Sequence, residues 1–205
     1  MDGTLVDSFG DIKQCLEHSY LKILGQEIGV TRMAIGPPLS EMIEQLTPGL
    51  SQKTKDSIIF EFRQNYDSSS YPLTTSMSGA VELIERLTAL KKRIYIVTNK
   101  SYNPTKRILS KLDLTSFADV LSPDKFPGKK LTKSELIKLI INERNLAKGS
   151  MVMVGDTSHD ILAAKANEID SVSVTCGYDT LNNLIDANPT LLVVNMTELL
   201  RHLNN

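Results

Sequence analysis

Past residue 78 the sequence alternates short apolar runs with amphipathic stripes, and this alternation restricts the possible folds more than any other feature. Residues 80–90 place Val81, Ile84 and Leu87 on one side of a helix. Ile94-Tyr95-Ile96-Val97 follows, a short apolar run ending in Thr98-Asn99 that suits a strand buried on both faces. Pro104, taken as the first helical position after Asn103, opens a helix running to about Leu112. Residues 119–122 read as a brief strand. Thr132 and Glu135 form a capping-box pair ahead of Leu136, Ile137, Leu139 and Ile140. Residues 151–154 read as strand, 161–166 as helix, 171–175 as strand, 191–194 as a last strand and 197–203 as a terminal helix. Strands and helices in turn imply an α/β fold, a parallel sheet covered on both faces. In such sheets chemistry collects outside the carboxyl ends of the strands. Polar residues stand there: Thr98-Asn99 after one strand and Gly155-Asp156 after another.

Residues 10–77 read as entirely helical. Ile12, Leu16, Tyr20 and Ile23 form one stripe, stopped by Gly25. Gly36-Pro37-Pro38 is a rigid loop ahead of a short helix carrying Met42, Ile43 and Leu46. Ser51 caps a further helix whose face is Ile58, Ile59, Phe62 and Tyr66, and Asp67-Ser68-Ser69-Ser70 reads as a linker. A chain of 205 residues therefore holds one α/β core, residues 1–9 and 78–205, with a helical domain inserted at 10–77.

Charge and composition exclude several classes. The formal net charge is −1 and no basic face interleaves with aromatics, so nucleic acid is not the expected partner. No apolar run approaches the roughly 20 residues of a membrane span, and no charged-then-apolar leader is visible. Cys15 and Cys176 have neither metal-ligand nor redox spacing. The expectation is a reduced, cytoplasmic protein without a membrane partner.

Four stretches carry polar residues suited to chemistry. They are Met1-Asp2-Gly3-Thr4-Leu5-Val6-Asp7-Ser8, then Thr98-Asn99-Lys100, then Gly128-Lys129-Lys130-Leu131-Thr132-Lys133, and Val154-Gly155-Asp156-Thr157-Ser158-His159-Asp160. In order and spacing they resemble the four motifs of the haloacid dehalogenase superfamily, in its phosphoglycolate-phosphatase-like branch. The resemblance spans essentially the whole chain and includes a helical cap between the first two motifs. It implies a Rossmann-like three-layer core whose first strand is largely missing here.

The resemblance also implies roles. Phosphoryl transfer needs an in-line nucleophile, neutralised charge on the transferring oxygens and a proton for the leaving group. In the family's Asp-x-Asp-Gly-Thr motif the first Asp forms an aspartyl-phosphate, and the second acts as general acid/base. Asp2 takes the second place, with its backbone carbonyl on Mg²⁺, and Gly3 and Thr4 complete the phosphate-binding turn. Thr98 and Asn99 would hold the phosphoryl group and Lys133, with Lys130 as the alternative, would balance its charge. Asp156 would ligate Mg²⁺, and Asp160 would support that shell or reach the metal through water. An acid at Asp2 favours phosphate esters over haloacids, because a halide leaves without a proton.

Met1 stands between the two aspartates of that motif, which puts the nucleophilic Asp immediately upstream. A mistaken or shortened start is the favoured explanation, since a missing central strand would leave its neighbours with unpaired backbone groups. The leading expectation is a Mg²⁺-dependent phosphatase acting on a small phosphorylated metabolite, such as phosphoglycolate or a sugar or nucleotide phosphate. The alternatives are a non-catalytic remnant that binds a phosphorylated ligand or a partner, and a phosphomutase of the same fold. Gly36 to Ser40 is expected to line the substrate side. Asp7 reads as structural, His18 and His202 as surface, His159 as exposed or beside substrate, and Cys176 as a small buried hydrophobe. Glu168 stands where glycine is common and should be strained if it needs positive φ. Substrate identity and oligomeric state are not legible.

Overall fold

The computed structural model describes residues 1–32, 35–126, 128 and 131–203. Two parallel ladders form its centre. Strand β3 (Tyr95–Val97) pairs with β4 (Asp119–Leu121), and β5 (Val152–Gly155) pairs with β6 (Asp170–Val174), which pairs with β7 (Leu191–Val193). No pairing joins β3 to β5 among the described residues. A third, antiparallel pair is made by β1 (Val6–Asp7) and β2 (Thr75–Ser76), at the two crossings between core and insertion.

Period-two alternation sorts the strand side chains onto two faces. Ile96, Val120, Val154, Val172 and Val174 join one apolar cluster, together with Leu83 and Ile84 of α4 (Ala80–Ala89), Ile108 of α5 (Tyr102–Lys111) and Leu199 of α9 (Met196–Leu203). Val97, Met153 and Leu121 face the other way, toward Ile137 and Leu136 of α6 (Lys133–Glu143) and Ala163 of α7 (Ser158–Lys165). The sheet therefore has helices on both faces, an α/β core of three layers. Burial on both sides is why the strands read as near-continuous apolar runs.

The insertion is helical: α1 (Phe9–Leu24), α2 (Leu39–Leu46) and α3 (Gln52–Ser68). Gly25 stops α1 in the left-handed conformation at φ 66°. Ser51 caps α3 by accepting from the Thr54 amide. Leu16 and Tyr20 of α1 and Ile58, Phe62 and Tyr66 of α3 are buried together, so the core-facing stripes form one continuous interior with the sheet.

Several expectations need correction. Residues 10–77 are not wholly helical, because Thr75–Ser76 pairs with Val6–Asp7. Asp67 and Ser68 are the last turn of α3 rather than linker. In α4 the buried side runs through Ala80, Leu83 and Ile84, and Val81 is exposed because α9 packs one step around the helix. Ser101 is the N-cap of α5, so Pro104 sits third in the helix, where its missing N–H is still one of the unpaired first-turn donors. Helix α8 (Leu181–Ala187) has no counterpart in the sequence reading. Cys176 is exposed: β6 has ended at Val174, and the Cys176 amide bonds to the Val194 carbonyl on a loop.

Glu168 does adopt positive φ, 58°, where the chain leaves α7 for β6. An L side chain in this region is strained by its Cβ, and the only ion pair Glu168 makes among the described residues is an exposed one with Lys148. Glu168→Gly should therefore raise the thermal midpoint by roughly 2 °C. Calorimetry checks this, and a lowered midpoint would show that the Lys148 pair outweighs the backbone strain.

Candidate active site

A small cavity opens where the carboxyl ends of β3 and β5 meet the N-terminal loop and the insertion. Its volume is about 70 Å³, room for several waters when one needs about 10–15 Å³ by the same measure. Asp2, Thr98, Asn99, Lys133, Asp156 and Asp160 all line it. These residues are up to 158 positions apart in sequence, and the fold brings them to one place.

Asp156 follows β5 and is almost fully buried. The Thr4 hydroxyl donates to its Oδ1 at 2.6 Å and the Tyr178 amide to its Oδ2 at 3.0 Å. A Cβ at Gly3, whose φ is +74°, or at Gly177 would collide with this carboxylate. Both glycines let backbone approach a buried charge closely. Gly3 and Thr4 thus hold Asp156 and are not among the residues lining the cavity.

Asp160 is in the first turn of α7. Its Oδ2 accepts from the Thr157 amide at 3.1 Å and hydroxyl at 2.8 Å, closing a capping box. Its Oδ1 accepts from Lys133 Nζ at 2.6 Å, in a pair whose side chains are only 11% and 6% exposed. Lys130 lies outside the described residues. Asp2 accepts from the Ser8 hydroxyl at 2.5 Å and meets Lys100 Nζ at 3.1 Å. Thr98 is buried; its amide donates to the Leu121 carbonyl and its hydroxyl accepts from the Lys100 amide, both at 3.1 Å. Asn99 Nδ2 donates to the Gly36 carbonyl at 3.0 Å and ties the strand end to the insertion. Gly36, Pro37 and Leu39 line the cavity, and Pro38 and Ser40 do not.

Charge is unevenly balanced here. Burial alone would raise Asp2, yet the Lys100 ammonium and the Ser8 hydroxyl act against it, and Asp2 stays below its ordinary value. Asp160 is likewise lowered against the cost of burial, chiefly by Lys133. Among the described residues Asp156 has no cationic side chain beside it. Burial and the negative charge of Asp160 push it up, to about 6.

Among the described residues no group of three or more His, Cys, Asp or Glu side chains is arranged to hold a metal. The donors that fit a hard cation are fewer. They are the Asp156 carboxylate, aimed from a cradle that admits no added side chain and short of a positive partner, and main-chain oxygen nearby. Mg²⁺ fits such a place because it keeps several waters and takes one or two carboxylates.

Sequence reading gives no role at the site to three residues that the structure places there. Tyr178 is buried; its hydroxyl accepts from the Ser8 amide at 2.9 Å and donates to Asp7 Oδ1 at 3.0 Å. Asp7 also takes both arms of Arg32, the structural role expected of it. Lys100 and Tyr66 face Asp2 from the core and the insertion. None carries a local pattern that distinguishes it from a loop lysine or a core tyrosine. His159 is exposed.

The family profile described as haloacid dehalogenase-like hydrolase matches residues 1–174. The phosphoglycolate phosphatase of Photorhabdus laumondii subsp. laumondii is 30% identical over 207 residues, covering 98% of this chain and 88% of that protein. The tyrosine-protein kinase PtkA of Mycobacterium tuberculosis is 26% identical over 196 residues, and the match covers 94% of this chain but 66% of that protein's length. Among solved structures, a predicted phosphatase from Clostridium acetobutylicum superposes with a TM-score of 0.87 at 23% identity, covering 100% of this chain and 95% of that one. That last likeness concerns the fold.

Two outcomes follow from the charge distribution. Lys133→Met leaves Asp160 buried without its cation and should cost about 3 kcal/mol in urea denaturation, the cost of breaking a buried pair; a loss near zero would mean that solvent reaches Asp160. A carboxyl raised in the folded state is penalised increasingly as pH climbs from its unfolded value. Without divalent cation, the native chain should therefore lose stability relative to Asp156→Asn between pH 3.8 and about 6. Parallel melting curves of the two proteins across that window would contradict it.

Proposed function

The chain belongs to the haloacid dehalogenase-like hydrolases, and from that premise we propose that it hydrolyses a small phosphomonoester with the help of Mg²⁺. The single observation that carries this reading is the shared cavity of Asp2, Thr98, Lys133 and Asp156. Several relatives are phosphoglycolate phosphatases, so phosphoglycolate and sugar or nucleotide phosphates are the substrates to try first.

In this proposal the nucleophile is an aspartate just upstream of Met1, carried on a strand between β3 and β5. The lack of pairing between those two strands, whose facing edges would otherwise stay unsatisfied, supports it. Its carboxylate forms a bond to phosphorus as the bond to the leaving oxygen breaks. Asp2 donates a proton to that oxygen. Water then attacks the acyl-phosphate, giving its proton back to Asp2, and the bond to the nucleophile breaks to release phosphate.

Lys100 and Ser8 hold Asp2 ionised in the free chain, the state needed for the second half. A phosphate dianion beside it raises its proton affinity, as the first half requires. Thr98 and Asn99 orient the phosphoryl oxygens, and Lys133 offsets their charge while keeping Asp160 in place. Asp156 and the Asp2 carbonyl would hold the cation, with Asp160 behind them. The cation supplies charge neutralisation at the transferring group. Ile12, Ile35, Met42 and Phe62 line the cavity on the insertion side, an apolar wall that would limit water around the transferring group.

A chain extended upstream through the expected Asp should hydrolyse phosphomonoesters in the presence of Mg²⁺. Asp156→Asn should lower kcat/KM at least about 1,000-fold, on the scale of losing a main electrostatic contribution. Unchanged turnover in that variant would overturn the assignment of Asp156.

A further inference from the structure

Lys100 touches both Asp2 and the insertion at the cavity. Its side chain is 7% exposed. The ammonium group lies 3.1 Å from Asp2 Oδ1 and donates to the Tyr66 hydroxyl at 2.6 Å. It also sits 4.5 Å from the centre of the Tyr66 ring. Tyr66 belongs to α3, is 1% exposed, and stacks on Phe62 with ring centres 5.0 Å apart and 12° between planes. Tyr71, beyond the end of α3, tilts against Tyr66 with ring centres 5.2 Å apart and 58° between planes. The hydroxyl that receives Lys100 therefore moves only if α3 moves.

A buried ammonium requires its donors to be satisfied, and a buried lysine with a single carboxylate partner is poorly compensated. Here the second partner comes from a different part of the fold. Were α3 to lift away, Lys100 would lose the Tyr66 hydroxyl and ring together. Its remaining hold on Asp2 would be a single contact of 3.1 Å, in a site newly open to water.

We propose that Lys100 is a positioning residue that fixes the Asp2 carboxylate and does so fully only while Tyr66 keeps α3 seated over the cavity. The inference rests on the reading of Asp2 as the acid/base group. It adds that this group is held in place by the insertion, through Lys100. By thermodynamic reciprocity, the Asp2 charge should in turn help to seat α3. The pairing of α5 with the end of α3 works in the same direction. Arg107 donates to the Asp67 and Ser69 carbonyls at 2.5 and 2.7 Å, and Arg63 donates to Ser101.

Two measurements test it, and only the second needs turnover. Amide hydrogen exchange across α3 should speed up on the order of fivefold in Asp2→Asn and in Lys100→Met, with no further gain in the double variant, as for partners in one network. Asp2 has no contact with α3 other than through Lys100 among the described hydrogen bonds and ion pairs, so unchanged α3 exchange in Asp2→Asn overturns the proposal. In the upstream-extended chain, Lys100→Met should lower kcat about 100-fold and Tyr66→Phe about 10-fold, with KM changed less than about threefold. The double variant should be no slower than Lys100→Met, and Lys100→Arg should recover part of kcat. Multiplying effects, or a loss confined to KM, overturn the proposal. If the extended chain has no turnover at all, the phosphatase reading fails, and the exchange data still decide whether Lys100 couples Asp2 to α3.

Discussion

The site depends on a buried carboxylate that the chain does not neutralise. Asp156 receives two hydrogen bonds from segments 152 and 22 residues away, the Thr4 hydroxyl and the Tyr178 amide. Two glycines keep the space around it free of side chains. Those contacts fix the N-terminal loop and the loop after β6 against the end of β5. A carboxylate fixed so firmly, with Asp160 as a negative neighbour, is electrostatically costly unless a cation joins it. The other two acids of the cavity each have a lysine, Asp2 with Lys100 and Asp160 with Lys133. The imbalance falls on the residue whose role in the proposed chemistry is to hold metal.

This imbalance couples stability to function. A chain selected only for folding would replace Asp156 by a neutral residue, or place a third lysine beside it. Keeping the charge leaves a site that gains most from a divalent ion and a phosphate dianion arriving together. The helical insertion completes the enclosure. Its apolar residues close one side, Asn99 reaches across to Gly36, and Tyr66 reaches Lys100. Water exclusion and the placement of charged groups thus come from the same contacts.

The layers were legible in the sequence because they follow from periodicity. Apolar runs such as residues 94–97 are long enough to be buried on both faces, and the Thr132–Glu135 capping box marks its helix start unambiguously. Three of the four polar stretches lie directly after a strand or in the N-terminal loop and the third in chain order ends at the capped start of α6, and the structure gathers residues from all four around one cavity. The failures were local. A stripe through Val81, Ile84 and Leu87 and one through Ala80, Leu83 and Ile84 fit the helical period equally well, and only the packing around α4 decides between them. Cys176 reads as core because cysteine generally behaves as a small buried hydrophobe, but one residue of loop after β6 turns it outward. Lys100, named only within its stretch, and Tyr178 have no legible role for a different reason. Their importance comes from partners 98 and 22 residues away, and no local pattern records such distances.

The central claim is that these groups gather about one cation, and anomalous diffraction from crystals grown with Mn²⁺ and orthophosphate tests it most directly. The account requires one anomalous peak about 2.1 Å from an Asp156 carboxylate oxygen, with phosphate oxygens facing Thr98 and Lys133. A peak at another carboxylate, or phosphate bound outside the cavity with no metal at Asp156, would contradict it.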